Sequence, residues 1–128
     1  PVVMLPLDVT HKALITPERL ARIRAVGTRA AIAVWEMLSF SERFDLRKYG
    51  WAGAPLHDPC VIAYLLRPEL FAGRHVNVAV ETKGAFTQGM TVADWWGVTA
   101  RPANALFMRD IDSDGFTELL IERLGRLP

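Results

Sequence analysis

Polar and apolar positions in the first part of this chain recur with the spacing of helices. Thr16-Pro17-Glu18 is a typical helix start, with a hydroxyl cap, a proline at the first helical position and an acid in the first turn. Leu20, Ile23 and Val26 then follow at near-helical intervals. Because Gly27 comes directly after this apolar stripe, the pattern predicts a helix that begins after Thr16 and ends at Gly27.

Two more helices are predicted before the middle of the chain is passed. Thr28 can cap the next helix, whose mixed apolar stripe reaches about Lys48. The segment from Tyr49 to Pro55 holds two glycines and is predicted to be a mobile surface loop. The apolar run that begins near Asp58 is predicted to form a helix that stops before Pro68.

Strand patterns lie on both sides of these helices. Residues 1–5 are predicted to form a buried strand, and residues 74–82 alternate valines with other residues as a strand does. Short strands are predicted at residues 91–96 and 104–108, and a final helix from Asp112 to Leu124. Because strands and helices intermingle along the chain, the predicted class is α/β or α+β.

Composition narrows the class of protein. The 128 residues have room for one domain, and 51% of them are hydrophobic, which is enough for a real core. The net charge is +1 and the charges are spread along the chain, which argues against a nucleic-acid groove or a polybasic membrane surface. No apolar run is long enough to span a bilayer. Cys60 is the only cysteine, which excludes an internal disulfide and suits a reducing cytoplasm.

A histidine and a carboxylate stand side by side where a loop becomes a helix. His57 and Asp58 precede Pro59 and Cys60 in the run that opens this predicted helix. One interpretation is structural, with Asp58 as the N-cap and Pro59 at the first helical position. The other is chemical, because a helix start holds a side chain firmly and leaves it accessible. A nucleophilic pair of Cys60 with His57 is conceivable, but a small core residue is the simpler interpretation of Cys60.

A second acidic segment imitates a calcium-binding loop. Asp110, Asp112 and Asp114 alternate and are followed by a glycine, as in the first half of an EF-hand loop. Position twelve of such a loop must be a glutamate, and here it is Ile121, with Glu122 one residue too late. The segment is therefore interpreted as an acidic turn that caps the last helix. The three histidines are far apart and have no ligand spacing.

Three segments in a fixed order resemble a known family. They are Leu7-Asp8-Val9-Thr10-His11-Lys12-Ala13-Leu14, then Leu56-His57-Asp58-Pro59-Cys60, then Glu81-Thr82-Lys83-Gly84 with Thr87-Gln88-Gly89-Met90-Thr91-Val92-Ala93-Asp94. Together they resemble the C-terminal part of the inosine–uridine-preferring nucleoside hydrolases. The resemblance implies an α/β fold of Rossmann type with mixed strands and helices. It also implies an enzyme of roughly twice this length that forms dimers or tetramers.

The resemblance also implies a reaction and a site. Members use Ca²⁺ to hydrolyse the N-ribosidic bond of a nucleoside, giving ribose and a free base. Asp58 matches a calcium ligand, and His57 matches the proposed proton donor to a purine-like leaving group. Histidine suits that role because its pKa lies near working pH. Tyr49, with Phe44 behind it, is the candidate for contact with the base. Purine and pyrimidine substrates both stay open.

The rest of the implied site is not in this sequence. The family's aspartate-rich N-terminal motif, which supplies most of the calcium ligands, has no counterpart in this sequence. Because the first predicted strand follows no leader or initiator methionine, we interpret the chain as cut from something longer. We expect the chain alone to be inactive and, with sheet edges uncovered, to self-associate. The competing hypotheses are a truncated, non-catalytic unit of folding or assembly, and a small calcium module built on Asp110, Asp112 and Asp114.

Overall fold

A computed structural model describes residues 2–128 of the chain, without the side chains of residues 41–49. The helices are Leu7–Thr10 (α1), Pro17–Ala25 (α2), Arg29–Tyr49 (α3), Asp58–Leu66 (α4) and Ser113–Gly125 (α5). The strands are Val2–Met4 (β1), Leu14–Ile15 (β2), Ala54–Pro55 (β3), Phe71–Val76 (β4), Val78–Val80 (β5), Thr91–Ala93 (β6) and Ala105–Ile111 (β7). A short 3₁₀ helix, Pro68–Leu70, precedes β4. The mixture of helices and strands confirms the predicted class.

The central sheet has three strands in the order β1-β7-β4. Strand β1 runs parallel to β7, and β4 runs antiparallel to it. A bulge interrupts the pairing of β4 between Ala72 and Gly73. Gly73 is required there, because a Cβ at this position would lie 2.3 Å from the carbonyl oxygen of Phe107. Strands β2 and β3 form one small antiparallel pair, and β5 and β6 form another.

The hydrophobic core lies among α2, α3, α4, α5 and the sheet. Among the described residues, its buried members come from three stretches of the chain: Val9, Ala13, Ile15, Leu20, Ile23 and Ala31, then Leu56, Cys60, Ala63 and Phe71, then Met108, Phe116, Leu119 and Leu124. Phe116 is the largest of the fully enclosed side chains, with 2% of its surface exposed. The C-terminal helix is therefore central to the packing. No helix in the described part of the chain is both long and apolar enough to cross a membrane.

The predicted helix starts are confirmed by their caps. Thr16 Oγ1 accepts a hydrogen bond from the backbone N–H of Arg19, and Thr28 Oγ1 accepts one from Ala31. At α5, Asp112 Oδ1 accepts from the N–H of Gly115 at 2.9 Å. A side-chain oxygen at the N-cap satisfies a backbone donor that has no partner within the helix, which is why sequence alone locates these starts.

Other predictions about the elements are wrong in part. The opening strand is not buried, because β1 is an edge strand and leaves Val2 and Val3 exposed. Residues 74–82 form two strands rather than one. The two strands are separated by Asn77. Beyond it, the side-chain amide of Asn104 accepts a hydrogen bond from the N–H of Val78 and donates one to the carbonyl of Val78.

The loop predicted from Tyr49 to Pro55 is packed at its far end. Ala54 and Pro55 form strand β3, and Ala54 is buried. Gly53 approaches β2 so closely that a Cβ there would lie 2.3 Å from the carbonyl oxygen of Ile15. Helix α1 was not predicted, because its four residues are too few to show a period. Self-association stays a prediction. The exposed side chains of Phe86, Trp96 and Val98, in the β5–β6 hairpin and the turn that follows it, are consistent with it.

Candidate functional site

The end of α1 and the start of α4 meet at a buried threonine. Thr10, the last residue of α1, has only 2% of its surface exposed. Its Oγ1 lies 2.8 Å from Nδ1 of His57, which immediately precedes α4. The two residues are 47 positions apart in sequence, so this contact is a product of the tertiary fold. His57 and its neighbour Asp58 remain exposed to solvent.

Asp58 does not cap the helix that it opens. The backbone of His57 already has helical angles, φ −91° and ψ −71°, so α4 begins at Asp58 and the N-cap position is His57. No side-chain hydrogen bond caps this helix. The capping interpretation is therefore wrong. Within the described part of the chain the Asp58 carboxylate makes no hydrogen bond or ion pair, which leaves it available to a ligand.

Two more aromatic rings extend the site beyond His57. The rings of His11 and His57 meet edge to face, with centroids 5.5 Å apart. On another side of His11, the ring of Trp51 lies at 4.7 Å with a tilt of 53°. His11 follows α1, and Trp51 follows α3, so three separate stretches of sequence converge at the start of α4. The convergence builds a partly exposed aromatic surface next to a carboxylate.

The chemistry of this arrangement is that of an acid and a hard-cation ligand. An imidazole held through Nδ1 presents Nε2 for proton transfer. The carboxylate of Asp58 can supply one or two of the roughly 6–8 oxygens that Ca²⁺ takes. Asp58 thus fits the role of one ligand. Among the described side chains there is no group of three or more His, Cys, Asp or Glu residues that could hold a metal ion, so Asp58 would need partners from elsewhere.

Cys60 is a core residue and not a nucleophile. It is fully buried, and its Sγ donates to the carbonyl oxygen of Leu56 at 3.0 Å. Burial raises the pKa of the Cys60 thiol to about 11, because the thiolate form would lose its hydration. A nucleophilic cysteine needs a lowered pKa and access to solvent. The conceivable pairing of Cys60 with His57 is therefore excluded.

We expect Cys60 to react with Ellman's reagent at pH 8 about 100-fold more slowly in the folded chain than in urea, because less thiolate is present. The pKa is raised from 9.0 in the ordinary thiol to about 11 in the folded chain. This group therefore favours folding fully below pH 9, and its contribution is lost as the pH rises from 9 through 11. Equal rates of labelling in the two states would contradict the burial of the thiol.

The second acidic segment is structural, as the sequence indicated. Asp110 pairs with Lys12 at 3.0 Å, and Asp114 pairs with Arg19 at 2.5 Å. The hydrogen bond from Lys12, together with the charge of its ammonium, lowers the pKa of Asp110. Asp112 is occupied as the cap of α5. Because each carboxylate has its own partner, the hypothesis of a calcium module on these residues is wrong.

The other residues of interest differ in whether the structure brings them to the candidate site. The side chains of Tyr49 and Phe44 lie outside those that the structure describes, so their assignment to the base stays a prediction. Thr10 and His11 belong to the first of the three family-like segments, and the structure brings both to His57. Trp51 was missed, because it lies in a segment whose glycines indicated only a loop. Its signal was the aromatic side chain itself, close in sequence to the His-Asp pair.

A groove of about 480 Å³ adjoins Asp58 between α4 and α5. Its walls are mainly aliphatic and aromatic, with Ile62, Leu66, Phe116 and Leu119 among the lining residues. Ribose is a polyol whose hydroxyls need polar partners when they leave water. This groove is therefore a poor place for a sugar.

Comparison with known proteins gives a consistent result. Residues 1–118 match the family model described as "Inosine-uridine preferring nucleoside hydrolase". The chain is 48% identical, over its full length, to 41% of an uncharacterized protein of Schizosaccharomyces pombe. It is 51% identical over 97% of its length to 40% of the pyrimidine-specific ribonucleoside hydrolase RihA of Salmonella gallinarum.

A solved structure agrees with these matches. The purine-preferring ribonucleoside hydrolase from Gardnerella vaginalis superposes with a TM-score of 0.80 and 25% sequence identity. The superposition covers 98% of this chain and 40% of that one. This chain therefore spans about 40% of the length of the relatives that it matches.

Proposed function

The chain belongs to the inosine-uridine preferring nucleoside hydrolase family, and we propose that it supplies one wall of a site that hydrolyses the N-ribosidic bond of nucleosides. The single observation that carries this proposal is the exposed pair His57 and Asp58. One member is anchored through Nδ1 by a buried hydroxyl, and the other is free of any structural partner in the described residues. Such a pair offers an acid and a cation ligand side by side.

The reaction requires stabilisation of developing charge and delivery of a proton, and this pair can contribute to both. Cleavage of the N-ribosidic bond leaves positive charge on the sugar and puts negative charge on the departing base. Water then adds its hydroxyl to the sugar carbon, and the base gains a proton. We assign the delivery of that proton to Nε2 of His57, since Nδ1 is occupied by Thr10.

Asp58 is assigned to the divalent cation that the family implies. Calcium is our first choice, because Asp58 offers only oxygen donors. When bound, the cation supplies a Lewis acid that acidifies the attacking water. Asp58 would hold it at the first turn of α4, next to the proton donor. The remaining ligands would come from the part of the relatives that this chain does not span.

The substrate class follows from the relatives by similarity. We propose ribonucleosides, with uridine and cytidine as the first to test. The support is that the relative at 51% identity is named as pyrimidine-specific. Inosine is the comparison substrate, because the structural neighbour at 25% identity is named as purine-preferring.

A chimera tests the proposal directly. The chain is joined behind the part of the Salmonella gallinarum RihA relative that it does not cover. We expect the chimera, with Ca²⁺, to release free base from uridine, and the chain alone to release none. Among the residues that the structure describes, no group of three or more candidate ligands could supply the roughly 6–8 oxygens that Ca²⁺ takes. A folded chimera with no activity on any ribonucleoside would contradict the proposal and favour a non-catalytic unit of folding or assembly.

A further inference from the structure

Thr10 is an unusual partner for an exposed histidine. Its side chain is almost fully enclosed, and its Oγ1 makes one described hydrogen bond, to Nδ1 of His57 at 2.8 Å. Polar groups without access to water nearly always have a partner, so this bond satisfies the hydroxyl as well as the ring. Thr10 is itself fixed by α1, where its backbone N–H donates to the carbonyl of Pro6 at 3.1 Å.

The bond leaves one orientation for the imidazole. With Nδ1 directed inward to Thr10, Nε2 on the far edge of the ring is free to face outward, and it makes no hydrogen bond within the described residues. The ring of His11 also restricts the rotation of the His57 side chain, because the two rings stand edge to face with their centroids 5.5 Å apart. A hydroxyl can donate to a ring nitrogen or accept from it, so the contact holds whichever nitrogen carries the proton.

We propose that Thr10 is a positioning residue, which holds His57 through Nδ1 so that Nε2 faces the departing base. This inference rests on the proposed function, which assigns the delivery of a proton to Nε2 of His57. Thr10 itself touches neither substrate nor cation. Its contribution is to limit the rotation of a solvent-exposed side chain, and small errors in the placement of a catalytic group are costly.

The test compares Thr10→Val, which removes the hydroxyl and keeps the shape, with Thr10→Ser, which keeps the hydroxyl. Thr117→Val is the matched control. Thr117 is equally buried, and its Oγ1 donates to the carbonyl of Ser113 in α5 at 2.8 Å, away from His57. Proton NMR of the full chain then measures cross-peaks between the ring protons of His57 and His11.

We expect the cross-peaks in the wild type, in Thr10→Ser and in Thr117→Val, and their loss in Thr10→Val. In the chimera, Thr10→Val should lower kcat about 10- to 100-fold and change KM little, and Thr10→Ser should restore most of kcat. Unchanged cross-peaks in a folded Thr10→Val chain would overturn the proposal. If that variant does not fold, the wild type decides, because a Thr10 hydroxyl proton without a cross-peak to the His57 ring would overturn it as well.

The two proposals fail in different ways. The NMR measurement needs no catalysis, so an inactive chimera contradicts the proposed function, while loss of the ring cross-peaks in Thr10→Val still supports the hold of Thr10 on His57. An active chimera whose Thr10→Val variant keeps both its kcat and its cross-peaks supports the function and overturns the positioning.

Discussion

Replacing Asp58 by alanine is expected to remove cation-dependent nucleoside hydrolysis from the chimera, with kcat lower by about 10³-fold or more. A Lewis acid contributes several kcal/mol of transition-state stabilisation, and each tenfold loss corresponds to about 1.4 kcal/mol. Asp58 has no hydrogen-bond or ion-pair partner among the described residues, so its removal should cost at most about 1 kcal/mol, from the lost charge at the start of α4. The measurement is uridine turnover, together with calorimetric titration of Ca²⁺.

Asp114→Ala is the matched control for this experiment. Asp114 is also an exposed acid in the first turn of a helix, but it pairs with Arg19. A surface ion pair of this kind contributes about 1 kcal/mol at most, so the variant should keep its activity and its affinity for Ca²⁺. Equal losses in the two variants, or full activity in Asp58→Ala, would show that the carboxylate of Asp58 is not a ligand.

Replacing Phe116 by alanine is expected to cost about 3–5 kcal/mol of the free energy of unfolding. Phe116 is 2% exposed and belongs to the core that α5 closes. The substitution removes a buried ring and leaves a cavity that the surrounding residues fill only in part. A domain of this size has about 5–15 kcal/mol in all, so the variant should be close to unfolding. Urea denaturation followed by circular dichroism measures the loss.

Phe86→Ala provides the contrast. Phe86 is 101% exposed, so the same change of side chain should alter the stability of a monomeric chain by less than about 0.5 kcal/mol. A loss of several kcal/mol at Phe86 would show that the loop between β5 and β6 is covered in solution. A loss below about 1 kcal/mol at Phe116 would contradict the packing of α5 described above.

The sequence predicted more of the fold than of the candidate site. The starts of α2 and α3 and the turn before α5 were predicted correctly, because Thr16, Thr28 and Asp112 cap helices through contacts within three residues. The family resemblance is confirmed by the match over residues 1–118. The exposure of β1 was predicted wrongly, since burial depends on which elements pack on a strand and not on its composition.

For the candidate site, the local pattern singled out His57 and Asp58 but indicated no contact with residues far away in the sequence. The pattern around His57 and Asp58 left a capping and a chemical interpretation open. A capping Asp58 would have been supported by the local sequence, and only the backbone angles of His57 exclude it. The contacts of Thr10 and His11 with His57 could not be predicted, because nothing within a few residues of either indicates so distant a partner, which lies 47 positions from Thr10.

The sequence by itself predicted the helices that have local caps and the family, and it offered His57 and Asp58 as candidates for the chemistry. Those features rest on interactions between near neighbours or on motifs that are read directly from the chain. The tertiary structure decided that Asp58 has no partner among the described residues, that Cys60 is buried, and that Thr10 and His11 contact His57. Each of these depends on burial or on contacts between distant segments, and such contacts form only when the whole chain packs.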